Sequence, residues 1–127
     1  MVLMTYFETT KGLGVLSTAD SEGNVDSAVH ARPHILEDGT LALIMRDRLS
    51  HHNLQSNPKA AYLFVEEGPG YRGKRFFMTK VGEEVDQEKI HSLARRSRKD
   101  NQTDSAEAQF LVYFRIDKER PLIGSGV

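Results

Sequence analysis

Cysteine and tryptophan are absent from the sequence, and only 4 residues are proline. Without cysteine there is no disulfide, no thiolate metal site and no cysteine nucleophile. That absence is compatible with a reducing compartment. No apolar run approaches the roughly 20 residues a helix needs to cross a bilayer. The opening stretch, MVLMTYFETTKG, has no basic segment followed by a long apolar one, so no secretory signal is read and the cytoplasm is the expected location. Charge of one sign is lacking too. The 17 Lys and Arg nearly cancel the 18 Asp and Glu, leaving a formal net charge of −1. Such a chain has no global steering toward nucleic acid or membrane. There is no Walker-type Gly-Lys-Ser/Thr and no nucleophile-elbow serine.

What is present describes a globular chain. Hydrophobic residues make up 39% and charged residues 28% of 127 residues. That is enough for one core, and residues 1–127 are read as a single domain. Apolar spacing predicts a helix over 2–10, with Leu3, Tyr6 and Phe7 on one side and Gly12 and Gly14 ending it. Strands follow over 15–19, 25–36 and 40–45, joined by turns at Gly23 and Gly39. Within 25–36, Val25, Val29, Ala31 and Ile35 fall on one face and Asp26, His30, Arg32 and His34 on the other. A short helix ends at Asn57-Pro58. Residues 60–65 are nearly all apolar and read as a strand buried on both sides. A Gly-rich charged loop covers 66–74 and a strand 75–85. Asp86 caps a helix to about Arg98, whose end gathers Arg95, Arg96, Arg98 and Lys99. A polar loop over 101–108 leads to a last strand at 110–116. Six strands joined mostly by turns imply a mainly β fold, a small antiparallel barrel that hides its edges by closure.

The chemistry concentrates in RDRLSHHNLQSNP, residues 46–58. Ser50 is a good N-cap residue. A helix N-terminus carries partial positive charge and normally attracts acids. Here it attracts Arg46, Arg48, His51 and His52, opposed only by Asp47. Orphan N–H groups, a hydroxyl and cations together suit an anion, most simply a phosphate. Arg32 adds a planar set of donors on the polar face of its strand. Pro33 beside it marks an edge or bulge, where backbone can meet a ligand. His30 and His34 stand roughly 13 Å apart on an extended strand, too far to share a metal, and His51 and His52 face different sides of a helix. No metal site is expected. Tyr71 to Phe77 mixes cations with aromatics as single-stranded nucleic-acid binders do, but the balanced charge argues against that partner.

The order of these features is a short helix, Gly-Val-Leu-Ser-Thr (14–18), a turn at Gly23, a strand reaching Arg32-Pro33, an Asp-Gly turn, a strand, a basic segment, and Asn-Leu-x-x-Asn-Pro (53–58). It resembles the FMN-binding split-barrel family related to pyridoxamine 5′-phosphate oxidase, over roughly residues 5–85. The resemblance implies a six-stranded antiparallel split barrel that pairs as a homodimer, with FMN in the groove between subunits. It implies that Arg32 lies near the flavin phosphate and that Pro33, His34 and Ile35 flank the ring through their backbone. It places Arg48, Ser50 and His51 at the phosphate. Members often have Lys where Ser50 stands, which leaves Arg32 and Arg48 as the cations. The implied activity is that of a flavin-dependent oxidoreductase on a small substrate; a non-catalytic flavin carrier and a haem-binding barrel are the alternatives.

Overall fold

The computed structural model describes residues 2–97 and 108–124. Helix α1 (Val2–Thr9) precedes strands β1 (Gly12–Ala19), β2 (Val25–His30), β3 (His34–Ile35) and β4 (Leu41–Arg46). Helix α2 (Leu49–Ser56), strands β5 (Lys59–Glu66) and β6 (Gly73–Glu84), helix α3 (Gln87–Ser97) and strand β7 (Gln109–Pro121) follow. All strand pairs are antiparallel, in the order β2-β1-β5-β6-β7-β4-β3. Among the described residues no helix is long and apolar enough to cross a membrane.

Seven strands replace the six expected, because the stretch 25–36 breaks in two. Residues 31–33 leave the sheet, and Pro33 has no N–H to give a ladder. Upstream, β2 pairs with β1; downstream, β3 pairs with β4 through His34↔Ala42 and Ile35↔Leu41. The two outermost strands of the sheet are therefore consecutive in sequence. His30 and His34 can be no more than about 14 Å apart at full extension, so the sheet must curl until its edges nearly meet. They do not pair: β2 and β3 remain edges, and the barrel is split where closure was expected.

The break also overturns the expected burial of β2. Val25 and Val29 are 83% and 70% exposed, while Ile35 is in the core. Their cross-strand partners explain why. Val29 faces Val15 and Val25 faces Ala19, on the outer side of β1, whereas Leu16 and Thr18 point inward. Strand β5 likewise alternates, with Tyr62 and Phe64 buried and their neighbours partly exposed, rather than being buried on both sides.

Rings crowd the interior beneath α1. Phe7 meets Phe64 edge-on at 5.2 Å, Tyr6 at 5.2 Å and Tyr62 at 6.4 Å, arrangements the ring quadrupoles favour. Space for them comes from Gly12 and Gly14, which lie inside β1 instead of merely ending α1. A Cβ at Gly14 would sit 1.9 Å from the Tyr62 hydroxyl. That hydroxyl crosses β1 and donates to the Ala31 carbonyl at 3.3 Å, tying down the break. Residues 98–107, with Arg98 and Lys99 of the predicted basic cluster, and the side chains of Arg95 and Arg96 lie outside what is described; Asp86 caps α3 as expected, its carboxylate accepting from the Lys89 N–H at 3.2 Å. Gly14→Ala should lower stability by about 2–3 kcal/mol through overpacking. Gly82→Ala, where nothing lies within 4 Å, should change it by no more than about 0.5 kcal/mol. Urea unfolding of the two variants checks the contrast.

Candidate anion site at the barrel split

Strand β4 bonds to β7 along its whole length but to β3 only at Leu41 and Ala42. From Leu43 to Arg46 its other edge has no strand partner among the described residues. That open edge faces the split, and α2 begins where it ends. Alternation along β4 puts Ala42, Ile44 and Arg46 on one face. It is the face that carries α3, since Ala42 packs with Ile90, Leu93 and Leu111, and Ile44 joins them. His34, opposite Ala42, shares it.

Helix α2 is fixed by the motif that ends it. Asn53 is buried and donates to the Thr18 hydroxyl at 3.1 Å; Leu54 lies in the main core. Asn57 is the C-cap, donates to the Asp20 carbonyl at 3.4 Å and accepts from the Lys59 N–H at 3.0 Å. The Pro58 carbonyl accepts from the Lys80 N–H at 2.7 Å. Asn-Leu-x-x-Asn-Pro thus docks the helix onto β1, the first turn of the chain and β6.

The start of α2 differs from expectation. The N-cap is Arg48, extended at φ −125 and ψ −173, and no side chain caps the helix. Ser50 falls in the first turn and is half-buried. Strand β4 runs as far as Arg46, so the turn has room only for Asp47 and Arg48 before the helix must begin. The first intrahelical bond runs from the His52 N–H to the Arg48 carbonyl at 3.0 Å. The N–H groups of Leu49, Ser50 and His51 consequently have no acceptor within the helix.

Sequence reasoning counted Arg46 among the cations before the helix but did not place it at the phosphate. Its Nη1 is buried without a hydrogen-bond partner, the one such side-chain atom among the described residues. A buried guanidinium nitrogen left unsatisfied costs on the order of 1–3 kcal/mol or more. An anion held there would remove that cost, so the residues present fit a group such as a phosphate. Period-two alternation along Ala42, Ile44 and Arg46 was the available signal.

His51 takes part differently from its sequence role. Its ring is buried, stacked on Phe110 at 3.9 Å and 15°. Nε2 lies 3.0 Å from Glu83 Oε2, and Nδ1 lies 3.4 Å from Asp47 Oδ1. With both ring nitrogens facing carboxylates, the imidazole is not directed at an anion. Burial by itself would raise the Glu83 carboxyl, but hydrogen bonds from Lys80, His51 and Gln55 and the His51 charge override it and hold the pKa at about 2, below an ordinary 4.5.

The other predicted residues gather at the opposite end of the open edge. Arg32, Pro33, His34, Ile35 and Leu36 line a cavity of about 190 Å³ whose far walls include Glu8 and Leu93. Arg32 Nη1 donates to the Phe7 carbonyl at 2.6 Å, near the C-terminus of α1, where a cation suits the dipole. Ile35 turns its side chain into the core. A cavity near 150 Å³ holds a benzene ring, so this one suits a single-ring molecule rather than an entire flavin nucleotide. Ala42 and Arg46 are about 13 Å apart along β4, which separates the cavity from the cationic end. His30, at the end of β2, has its pKa lowered by burial, against a contact of Nδ1 with the Ala31 carbonyl at 3.2 Å. Of the basic-aromatic stretch 71–77, Phe76 is in the core, Lys74 pairs with Glu119 at 2.7 Å and Arg75 donates to the Pro121 carbonyl at 2.9 Å.

A depressed carboxyl stabilises the fold above its unfolded pKa and loses that effect as pH falls through its folded one. Glu83→Gln should therefore lower stability by about 1 kcal/mol at pH 7. The difference from wild type should shrink between pH 4.5 and about 2. Urea unfolding across that range checks it; a difference independent of pH contradicts the assignment.

No protein-family model matches the sequence, and no curated protein matches it significantly. Solved structures do. An FMN-binding protein from Syntrophomonas wolfei subsp. wolfei superposes with a TM-score of 0.76 at 18% identity, over 97% of this chain and 85% of the other. An F420 reductase gives a TM-score of 0.73 at 13% identity, over 90% and 93%. A pyridoxamine 5′-phosphate oxidase-like protein from Listeria innocua gives 0.66 at 18% identity, over 95% of each chain. The chain has the split-barrel fold of these flavin-associated proteins.

Proposed function

We propose that this chain binds FMN and serves as a flavin-dependent oxidoreductase for a small substrate, working as a homodimer with the cofactor at the subunit interface. The unpartnered Nη1 of Arg46, two residues before the N-cap of the uncapped α2, carries the reading. The fold supports it, since similar structures include an FMN-binding protein and an F420 reductase.

In this reading Arg46 and Arg48 bind the FMN phosphate together with the N–H groups of Leu49, Ser50 and His51 and the Ser50 hydroxyl. Phosphate at a helix N-terminus with a guanidinium beside it gains from charge-assisted bonds and from the dipole. Backbone from Arg32 to Ile35, where Pro33 interrupts pairing, flanks the ring. The bound flavin supplies the electron transfer, and the chain supplies binding, orientation and exclusion of water. The cavity lined by Arg32, His34 and Leu93 is sized for a small substrate. The homodimer is supported by the outer face of β1 and β2. Leu13 is 52% exposed on the same face as Val29 and, at the far end of β1, Val25, and Phe77 on that side of the sheet is 41% exposed. Clustered apolar exposure of this kind marks an interaction surface.

Titrating FMN into the purified protein, followed by flavin absorbance, should give a saturable complex that sediments as a dimer. Arg46→Ala should weaken FMN binding about 10–100-fold, the loss expected for one buried charged hydrogen bond, and Arg48→Ala should weaken it less because Arg48 is exposed. Unchanged affinity in Arg46→Ala contradicts the phosphate assignment. Absence of NADH or NADPH oxidation by the FMN-loaded protein points instead to a flavin carrier.

A further inference from the structure

Glu83 lies in β6, yet it is bonded to the first turn of α2. Its Oε1 accepts from Lys80 Nζ at 2.6 Å and from Gln55 Nε2 at 3.2 Å, and its Oε2 lies 3.0 Å from His51 Nε2. Gln55 Nε2 also donates to the His51 carbonyl at 3.0 Å. His51 and Gln55 are four residues apart, one above the other on a single helix face. Phe110 of β7 closes the other side of the imidazole. None of this is required to attach the helix. Asn53, Leu54 and Asn57 already anchor its middle and end. What the carboxylate adds is control of the beginning, the one part of α2 with no capping side chain.

We infer that Glu83 is a positioning residue: acting through His51 and Gln55, it aims the first-turn N–H groups of α2 at the cofactor phosphate and so sets the preference for FMN over riboflavin. His51 links the two sides. Its ring is held by β6 and β7, while its backbone N–H belongs to the uncapped turn. Fixing the ring fixes the direction of that N–H and of the two before it. Donors held in place before the ligand arrives lose less freedom on binding. Riboflavin has the same ring and ribityl chain but no phosphate, so it does not use this turn. The inference rests on the FMN reading, and the comparison of the two ligands separates it from that reading.

The experiment measures dissociation constants for FMN and riboflavin with wild type, Glu83→Gln and the milder Gln55→Ala, at a temperature where circular dichroism shows all three folded. Wild type should prefer FMN. Both variants should lose affinity for FMN, about tenfold for Glu83→Gln, while riboflavin affinity stays at the wild-type value. A role in stability alone would move both ligands together or neither. If wild type prefers FMN and the variants keep its FMN-to-riboflavin ratio, the inference is overturned and the FMN reading stands. A wild type with no preference overturns both.

Discussion

Three residues that cannot stay in a sheet govern the rest of the molecule. The chain from Val25 to Ile35 would form one strand if Ala31, Arg32 and Pro33 allowed it. Pro33 has no N–H to donate, and the strand divides. One part pairs with β1 and the other with β4, at opposite ends of a seven-stranded order. Because so short a link joins them, the sheet curls. Because the link is not itself paired, the curl stays open. The Tyr62 hydroxyl, passing over Gly14 to the Ala31 carbonyl, pins the opening in place.

Unpaired backbone along β4 and an uncapped helix just beyond it both follow from that opening. Such a helix start ordinarily gathers acids. This one has Arg46 and Arg48 before it, while the nearby carboxylates of Asp47 and Glu83 face the His51 ring. Glu83 is paired with Lys80 as well, and among the described residues Arg46 Nη1 stands buried without a hydrogen-bond partner. Polar groups buried without partners are rare in native proteins. Here the orphan donor is on Arg46, at the end of the open edge and two residues before the N-cap of α2, and the proposed phosphate site rests on it.

Much of this architecture was legible in local chemistry. The Asp-Gly turn, the Asn-Leu-x-x-Asn-Pro segment and the Asp86 cap each act within a few residues, and each forms where its sequence places it. What was not legible depends on partners far away in the chain. The valines of β2 alternate as core residues do, but the outward side of β1 decides their exposure. Ser50 has the chemistry of a cap and sits inside the helix, because the length of β4 sets where α2 begins. His51 was grouped with Arg48 and Ser50 at the phosphate, and its ring turns to Glu83, 32 residues later. Arg46 was visible as a charge and not as an orphan, since burial is a property of the folded surroundings. Strand β7 extends to Pro121, well past the apolar run over 110–116 that marks it, sustained by pairing with β6 from Lys74↔Pro121 onward.

A crystal structure of the protein grown with FMN tests the central claim most directly. The account places the phosphate within hydrogen-bond distance of Arg46 Nη1 and of the N–H groups of Leu49, Ser50 and His51, at the end of the open edge. A phosphate bound elsewhere on the chain, with Arg46 Nη1 still buried and unbonded, would contradict it.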